Sequence, residues 1–149
     1  MSDQVTQITG SCLCGKVTYS AKVKTGAGAC HCHMCRKWSG GLYMSVHAQG
    51  KVDFAGAEYI QNFESSEWAE RGFCTQCGSS LYYFLKPRPG APDGETMLAA
   101  GSVDDQSNLT FDHEVYVDAA PGWYQFTDEA SRHRMTEADI LAIYGPDAQ

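Results

Sequence analysis

The chain has 149 residues, of which 18 are acidic and 11 are basic, and its formal charge is −7. A chain of this length typically forms one domain, so we expect a single domain over residues 1–149. The acidic balance argues against nucleic acid as a partner, and no segment reaches the ~18 apolar residues of a membrane span. The opening residues, MSDQVTQITG, lack the basic and apolar regions of a targeting signal. The sequence therefore predicts a soluble, cytoplasmic protein whose partners are small molecules or proteins.

Most of the chain has the pattern of short β-strands. In residues 15–23 apolar side chains alternate with polar ones, and Val17, Tyr19, Ala21 and Val23 share one face. This alternation is typical of a strand with one buried face. Short apolar and aromatic runs predict further strands at residues 42–48, 58–63, 79–85, 95–101 and 113–119.

Two other segments have a different local pattern. Three of the five prolines lie in residues 86–94, where missing amide donors exclude a central strand and indicate a surface loop. Residues 136–145, TEADILAIYG, have the pattern of a short helix with Thr136 as N-cap and Gly145 as the stop. The predicted fold is therefore mainly β with one short C-terminal helix.

The seven cysteines fall into three groups. They are Cys12 and Cys14; Cys30, Cys32 and Cys35; and Cys74 and Cys77. An odd number of cysteines in a chain expected to be cytoplasmic does not indicate a disulfide framework. Metal binding or redox chemistry is the better interpretation.

The first and last groups have the spacing of a closed metal site. In CTQCG a tight turn lets both sulfurs face one ion, and the following glycine tolerates the conformation that such a turn requires. Cys12 and Cys14 are two residues apart and so lie on one side of an extended segment. Four thiolates from Cys12, Cys14, Cys74 and Cys77 would complete a tetrahedral structural zinc site. The alternative is two pairs of ordinary buried thiols.

The remaining group, Cys30, Cys32 and Cys35, supplies three ligands. Zinc with three protein ligands keeps a fourth position for water or substrate, which is the pattern of a catalytic site. The alternative is a closed Cys3His site whose fourth ligand is His31, His33, His47 or His113. In an extended segment His31 and His33 would point away from the metal, because they alternate with the cysteines. They would then be solvated or would hydrogen-bond groups around the site.

The three cysteine motifs together carry a family resemblance. GSCLCGKVTY, CHCHMCRKWSGG and RGFCTQCGSSLYY, in this order, resemble the glutathione-dependent formaldehyde-activating enzymes, a family that includes centromere protein V-like proteins. The resemblance spans Gly10 to Phe126. Later positions that match the family pattern are Asp104, His113, Trp123 and Tyr124.

The resemblance implies a zinc-stapled β-tent fold of short antiparallel strands. It also implies two zinc ions per chain, a structural one at Cys12, Cys14, Cys74 and Cys77 and a second one at Cys30, Cys32 and Cys35. The reaction that it implies is the addition of the glutathione thiol to formaldehyde, which gives S-hydroxymethylglutathione and is a carbon–sulfur lyase reaction in reverse.

A thiol with two carboxylates requires cations at the rim of its pocket. Arg36, Lys37 and Arg71 flank the metal motifs and are the candidate substrate-binding residues, with Trp38 as an apolar wall. The alternative is that the cations only neutralise the thiolates and that Trp38 belongs to the core.

Three classes of function follow from these features. The first is a zinc-dependent lyase that acts on glutathione or a related thiol and a small aldehyde. The second is a protein that captures such a thiol on zinc without turnover. The third is a thiol redox enzyme similar to methionine-R-sulfoxide reductases, which requires a nucleophilic cysteine outside the zinc sites; the first two classes account for all seven cysteines as ligands.

Overall fold

The computed structural model describes residues 1–127 and 131–145. The described chain contains two α-helices, α1 (His33–Ser39) and α2 (Glu137–Tyr144). Its strands are β1 (Val5–Ser11), β2 (Thr18–Cys30), β3 (Tyr43–Ala48), β4 (Asp53–Ala55), β5 (Ile60–Glu64), β6 (Ala69–Cys74), β7 (Ser80–Leu85), β8 (Glu95–Ala99), β9 (Thr110–Val115) and β10 (His133–Met135). The expected mainly β fold with a short C-terminal helix is confirmed.

All ten strands belong to one sheet in the order β10-β9-β2-β3-β8-β7-β6-β5, with β1 and β4 also paired to β2. Most neighbours are antiparallel, but β2 pairs with β9, and β9 with β10, in parallel. The expectation of antiparallel strands alone was therefore wrong for this edge of the sheet. A parallel pair requires a long connection, and β9 ends at residue 115 whereas β10 begins at residue 133.

Strand β2 organises the sheet. Its first half pairs with β1 and β4, and its second half lies between β3 and β9. The predicted alternation is confirmed in the first half, where Tyr19, Ala21 and Val23 are buried. From residue 25 to residue 29 every position is buried, as is typical of a strand covered on both faces. The main core forms around these residues, with Val46, Leu98 and Val103.

A smaller core lies beside the first cysteine group. Val17 and Leu81 are fully buried there and pack with Cys12 and Cys74. Two distant parts of the chain therefore meet at this point, the β1–β2 turn and the β6–β7 turn.

The predicted C-terminal helix is confirmed. Thr136 caps α2 through a capping box, in which its side chain accepts from the Asp139 amide and the Asp139 carboxylate accepts from the Thr136 amide. Residues 86–94 lie outside the named strands, as expected of a proline-rich loop. Neither helix in the described part of the chain is long and apolar enough to cross a bilayer.

Helix α1 is the element that the sequence analysis missed. Cys32 is its N-cap, and the Cys32 sulfur accepts a hydrogen bond from the Cys35 amide at 3.4 Å. Gly40 ends the helix in the left-handed conformation with a φ of 84°. Segment ends also differ: residues 58–59, 100–101 and 117–119, expected in strands, lie in short 3-10 turns.

Candidate functional site

The first sulfur cluster is formed by Cys12, Cys14, Cys74 and Cys77, whose sulfur atoms all lie within 4.8 Å of one another. The Cys12 and Cys14 sulfurs are 3.5 Å apart, and those of Cys14 and Cys74 are 3.8 Å apart. Four sulfurs at about 2.3 Å from a tetrahedral zinc ion are about 3.8 Å from one another. The donor set and its spacing therefore fit a closed zinc site.

Backbone amides and a hydroxyl group form hydrogen bonds with these sulfurs. The Val17 amide donates to the Cys12 sulfur at 3.3 Å, and the Gln76 amide donates to the Cys74 sulfur at 3.4 Å. The Ser79 hydroxyl, 3.2 Å from the Cys77 sulfur, is the main cause that lowers the pKa of Cys77 to about 5. Thiolates are the form that binds metal, so these contacts favour the ligand state.

The second sulfur cluster is formed by Cys30, Cys32 and Cys35, which also lie within 4.8 Å of one another. Cys30 is the last residue of β2, Cys32 caps α1, and Cys35 lies in the first turn of that helix. Among the described residues no histidine or carboxylate completes this group. Three sulfurs without a fourth protein ligand are the donor set of an open metal site.

The three thiols share negative charge unequally. Hydrogen bonds from Cys30, and then from Cys35, lower the pKa of Cys32 to about 2. The same contact with Cys32 raises the pKa of Cys30 well above its usual value. Deprotonation of one thiol therefore opposes deprotonation of its neighbours, and a bound cation would offset this repulsion.

The histidines of the motif CHCHMC do not join the cluster. His31 is 2% exposed, and its two ring nitrogens lie 2.8 Å from the Tyr124 hydroxyl and 2.9 Å from a Glu114 carboxylate oxygen. His33 is exposed at the start of α1. The described residues therefore offer no Cys3His site at this cluster. His31 bonds to Tyr124 and Glu114 instead, whereas the extended segment assumed for His33 is replaced by the start of α1.

Arg71 is buried against the second cluster, with 4% of its surface exposed. Its Nη2 donates to the Cys35 sulfur at 3.5 Å, and its guanidinium lies over the rings of Tyr83 and Trp38, 4.9 and 5.6 Å from their centroids. Its Nη1 donates to the Ser65 hydroxyl, while its Nε has no hydrogen-bond partner among the residues that the structure describes. In the described part of the chain no carboxylate forms an ion pair with Arg71.

A cavity of about 490 Å³ opens beside the second cluster. Cys30, Cys32 and Cys35 line it together with Arg71 and with side chains of β3, β7 and β9, and residues of the C-terminal segment cover it: Met135, Ile140 and Tyr144. Its volume is in the range of small-molecule sites.

The other predicted substrate-binding residues lie outside this lining. The Arg36 Nε donates to the His31 carbonyl at 2.9 Å, and Lys37 is exposed. Trp38 packs on Tyr43 with ring centroids 5.3 Å apart and lies behind Arg71. Their contact with a substrate stays a prediction.

Two cavity residues, Arg88 and Asp112, were not identified from the sequence, and His47, considered there as a fourth metal ligand, lines the cavity without joining the cluster. Arg88 and His47 line the cavity and both contact Glu95. Asp112 lies next to His113 in the lining. In the pattern GAGAC, which ends at Cys30, glycines occupy alternate positions on one face of β2. This was the one feature of the local sequence that indicated side chains from another strand over β2.

The resemblance positions are distributed around the molecule. The Tyr124 hydroxyl bonds to His31, whereas Trp123 is 82% exposed and packs against the edge of Tyr124. Asp104 accepts from the Thr9 hydroxyl at 2.8 Å, away from the main cavity. Of the four positions, His113 is the one in the cavity lining.

Comparison with known proteins agrees with this architecture. The family model described as glutathione-dependent formaldehyde-activating enzyme matches residues 7–119. A Schizosaccharomyces pombe protein described as an uncharacterized lyase is 30% identical over 129 residues, which cover 86% of this chain and 91% of the relative. A Halomonas elongata protein, provisionally named as a glutathione-dependent formaldehyde-activating enzyme, is 30% identical over 87 residues, which cover 52% of this chain and 55% of the relative. The chain belongs to the glutathione-dependent formaldehyde-activating enzyme family.

Proposed function

We propose that this protein is a zinc-dependent carbon–sulfur lyase that interconverts a glutathione-type thiol and a small aldehyde with their S-hydroxymethyl adduct. The observation that carries the proposal is the three-sulfur cluster at the wall of a cavity of about 490 Å³, to which no residue in the described ranges 1–127 and 131–145 adds a fourth ligand. The family match and the names of the two relatives, a lyase and a formaldehyde-activating enzyme, support the same reaction class.

The two clusters would bind one zinc ion each. Cys12, Cys14, Cys74 and Cys77 would hold a structural ion, and Cys30, Cys32 and Cys35 would hold an ion with one open position. Such an ion supplies Lewis acidity, which lowers the pKa of a coordinated thiol and polarises a nearby carbonyl.

The residues of the chain would orient the thiol compound. Arg71 is a buried cation beside the second cluster, and none of the described residues accepts a hydrogen bond from its Nε, so a substrate carboxylate can do so. Lys24 and Arg88 are further cations of the cavity lining. The cavity wall contains sulfurs and, at separate positions, cations. A tripeptide thiol would contact the sulfur cluster through its thiol and the cations through its two carboxylates.

A redox function is less well supported. All seven cysteines lie in the two sulfur clusters. A thiol redox enzyme requires a nucleophilic cysteine that is free to form a sulfenic acid or a disulfide.

The test combines metal analysis with solution NMR. Purified protein should contain two zinc ions, one of which is lost on mild chelation together with activity. Exchange of formaldehyde between its free form and its glutathione adduct should be faster with the zinc-loaded protein than in buffer alone. Glutathione binding without faster exchange would replace the lyase with a thiol-capture protein, and no binding of glutathione would exclude this thiol.

A further inference from the structure

A β-bulge places two consecutive side chains on the cavity side of the sheet. In the pairing of β2 with β9, Ala27 is opposite Phe111 and Gly28 is opposite His113, so Asp112 is the extra residue. Consecutive strand residues normally point to opposite faces, and a bulge removes that rule locally. Both Asp112 and His113 line the cavity as a result.

The two side chains form a hydrogen-bonded pair. Asp112 Oδ1 lies 2.5 Å from His113 Nδ1, and Asp112 Oδ2 accepts from the Ser2 amide at 2.6 Å. Both carboxylate oxygens therefore have partners. The contact with Nδ1 fixes the ring and leaves Nε2 as its second nitrogen, which has no hydrogen-bond partner within the described ranges 1–127 and 131–145.

Strand β2 makes room for this pair with two glycines. A Cβ atom at Gly28 would lie 1.9 Å from His113 Nε2, and one at Gly26 would lie 2.2 Å from Asp112 Oδ2. Neither glycine has a positive φ, so their backbone does not require glycine. The requirement is space, because the ring and the carboxylate lie directly over β2.

The pair is near the second sulfur cluster. Gly28 and Cys30 are two residues apart on β2, and two residues of a strand span about 7 Å. Both Gly28 and His113 line the cavity with Cys30. The imidazole and the cluster sulfur of Cys30 therefore belong to the same wall of the cavity.

Other titratable groups of the cavity are less suited to proton transfer. The Tyr43 hydroxyl donates to the Met97 carbonyl at 2.9 Å. Burial raises the pKa of Tyr83, which keeps its hydroxyl protonated. His47 Nε2 lies 3.5 Å from Glu95.

From this geometry we propose that His113 is an acid–base catalytic residue of the thiol–aldehyde addition, with Asp112 as its positioning residue. The inference rests on the proposed lyase function. In the forward direction the thiolate sulfur attacks the carbonyl carbon, the C–S bond forms and the C=O π bond breaks. The oxygen takes a proton from His113 Nε2, and the imidazole recovers a proton from the next thiol. The sum is one thiol and one aldehyde giving one S-hydroxymethyl adduct.

The experiment compares variants of the zinc-loaded full chain. His113→Gln keeps a polar side chain of similar size but cannot transfer a proton, and Asp112→Asn removes the charge that orients the ring. The control is His133→Gln, because His133 pairs with His113 in the β10–β9 register but is exposed and outside the cavity lining.

The exchange rate of formaldehyde with glutathione is measured by NMR, and glutathione affinity is measured by calorimetry. General acid–base catalysis contributes roughly 100-fold or more to a rate. His113→Gln should therefore lower the protein-dependent rate about 100-fold while glutathione affinity changes less than about threefold. Asp112→Asn should have a smaller effect, and His133→Gln should behave as wild type.

Two readouts separate catalysis from a structural role. Added imidazole should restore part of the rate of a His113→Gly variant, since the vacated space lies over Gly28. The pH profile of the wild-type rate should lose one ionisation in His113→Gln. The groups that share the surroundings of His113 are Asp112 on its own strand, Lys24 on β2, His47 on β3 and His133 on β10.

The outcomes distinguish the two proposals. If the wild type does not accelerate exchange, the lyase function falls and the role of His113 falls with it. If the wild type is active and folded His113→Gln is equally active, the acid–base role is overturned while the lyase function stands. Loss of glutathione binding in His113→Gln, without rescue by imidazole in the glycine variant, would also overturn it in favour of a structural role.

Discussion

The two sulfur clusters differ in what surrounds them. The four-sulfur cluster lies against a small apolar core with Val17 and Leu81, and the chain itself supplies all four ligands. The three-sulfur cluster lies beside a cavity, a buried arginine and a histidine in a buried ionic network. Both clusters consist of cysteine sulfurs, so the difference lies in the number of sulfurs and in the neighbouring groups.

This difference indicates how each cluster is stabilised. The first joins the β1–β2 turn to the β6–β7 turn, so a metal there crosslinks distant parts of the chain. The second is built from Cys30 to Cys35, which is local in sequence, and β2 already fixes its start. We therefore expect the first cluster to determine folding and the second to determine function.

The largest effect is expected for Cys74→Ser. Cys74 is fully buried, and its loss would remove a ligand from the cluster that crosslinks the chain. Structural zinc contributes roughly 10–16 kcal/mol to the folding of small zinc-binding peptides. The variant should lose cooperative unfolding and its tightly bound metal, as measured by circular dichroism and metal analysis. A Cys74→Ser protein that melts like the parent with all its zinc would contradict the structural assignment.

Cys32→Ser is the matched change in the other cluster. It should lose one metal ion and the thiol-dependent activity, while the sheet persists because the first cluster is intact. Metal content, activity and thermal unfolding are measured on the same sample. If this variant instead fails to fold, both clusters are structural and the open-site interpretation is wrong.

Glu114→Gln tests the polar support of the second cluster. Glu114 is 3% exposed, and its two carboxylate oxygens contact His31 and Arg132. The Arg132 Nε lies 2.9 Å from Glu114 Oε2. Removing one partner of a buried ion pair costs about 3–5 kcal/mol, because the other charge stays buried. Urea unfolding at pH 7 should show a loss of this size, with the zinc content unchanged. A loss within error of zero would mean that the Glu114–Arg132 pair does not stabilise the fold.

The contribution of Glu114 to stability should depend on pH. Burial opposes ionisation of Glu114, but hydrogen bonds from Arg132 and His31 lower its pKa below 4.5. A lowered carboxyl pKa stabilises the folded state above the unfolded pKa, and this contribution is lost as the pH falls through the folded pKa. The difference in unfolding free energy between the parent and Glu114→Gln should therefore shrink below about pH 4.5. A difference that grows in acid would reverse this assignment.

The smallest effect is expected for Arg71→Met, which keeps an apolar stem between Tyr83 and Trp38. A charged hydrogen bond to a substrate carboxylate contributes about 1–3 kcal/mol, so glutathione affinity should fall by that amount. Calorimetry with glutathione and S-methylglutathione separates this contact from binding through the sulfur. The control is Lys22→Met, which removes the same charge at an exposed site outside the cavity lining. If Lys37→Met weakens binding and Arg71→Met does not, the carboxylate contact is at α1 instead.

The sequence alone was sufficient for features that depend on local spacing. Cysteines two or three residues apart can bind the same ion whatever the surrounding fold. The division of the seven cysteines into groups of four and three could therefore be predicted from CLCG, CHCHMC and CTQCG. The alternation in β2 and the Thr136 cap of α2 are also local, because each depends on neighbouring side chains and amides.

The tertiary structure decided which other side chains reach the second cluster. Arg71 lies 36 positions from Cys35 in the chain, yet it bonds to that sulfur, whereas neighbouring Arg36 turns to the His31 carbonyl. The location of His113 over Gly28 depends on the parallel pairing of β2 with β9 and on one bulge residue. A shift of one residue in that register would turn each side chain to the opposite face. Register between distant strands is set by the packing of the whole sheet, and local sequence patterns do not contain that information.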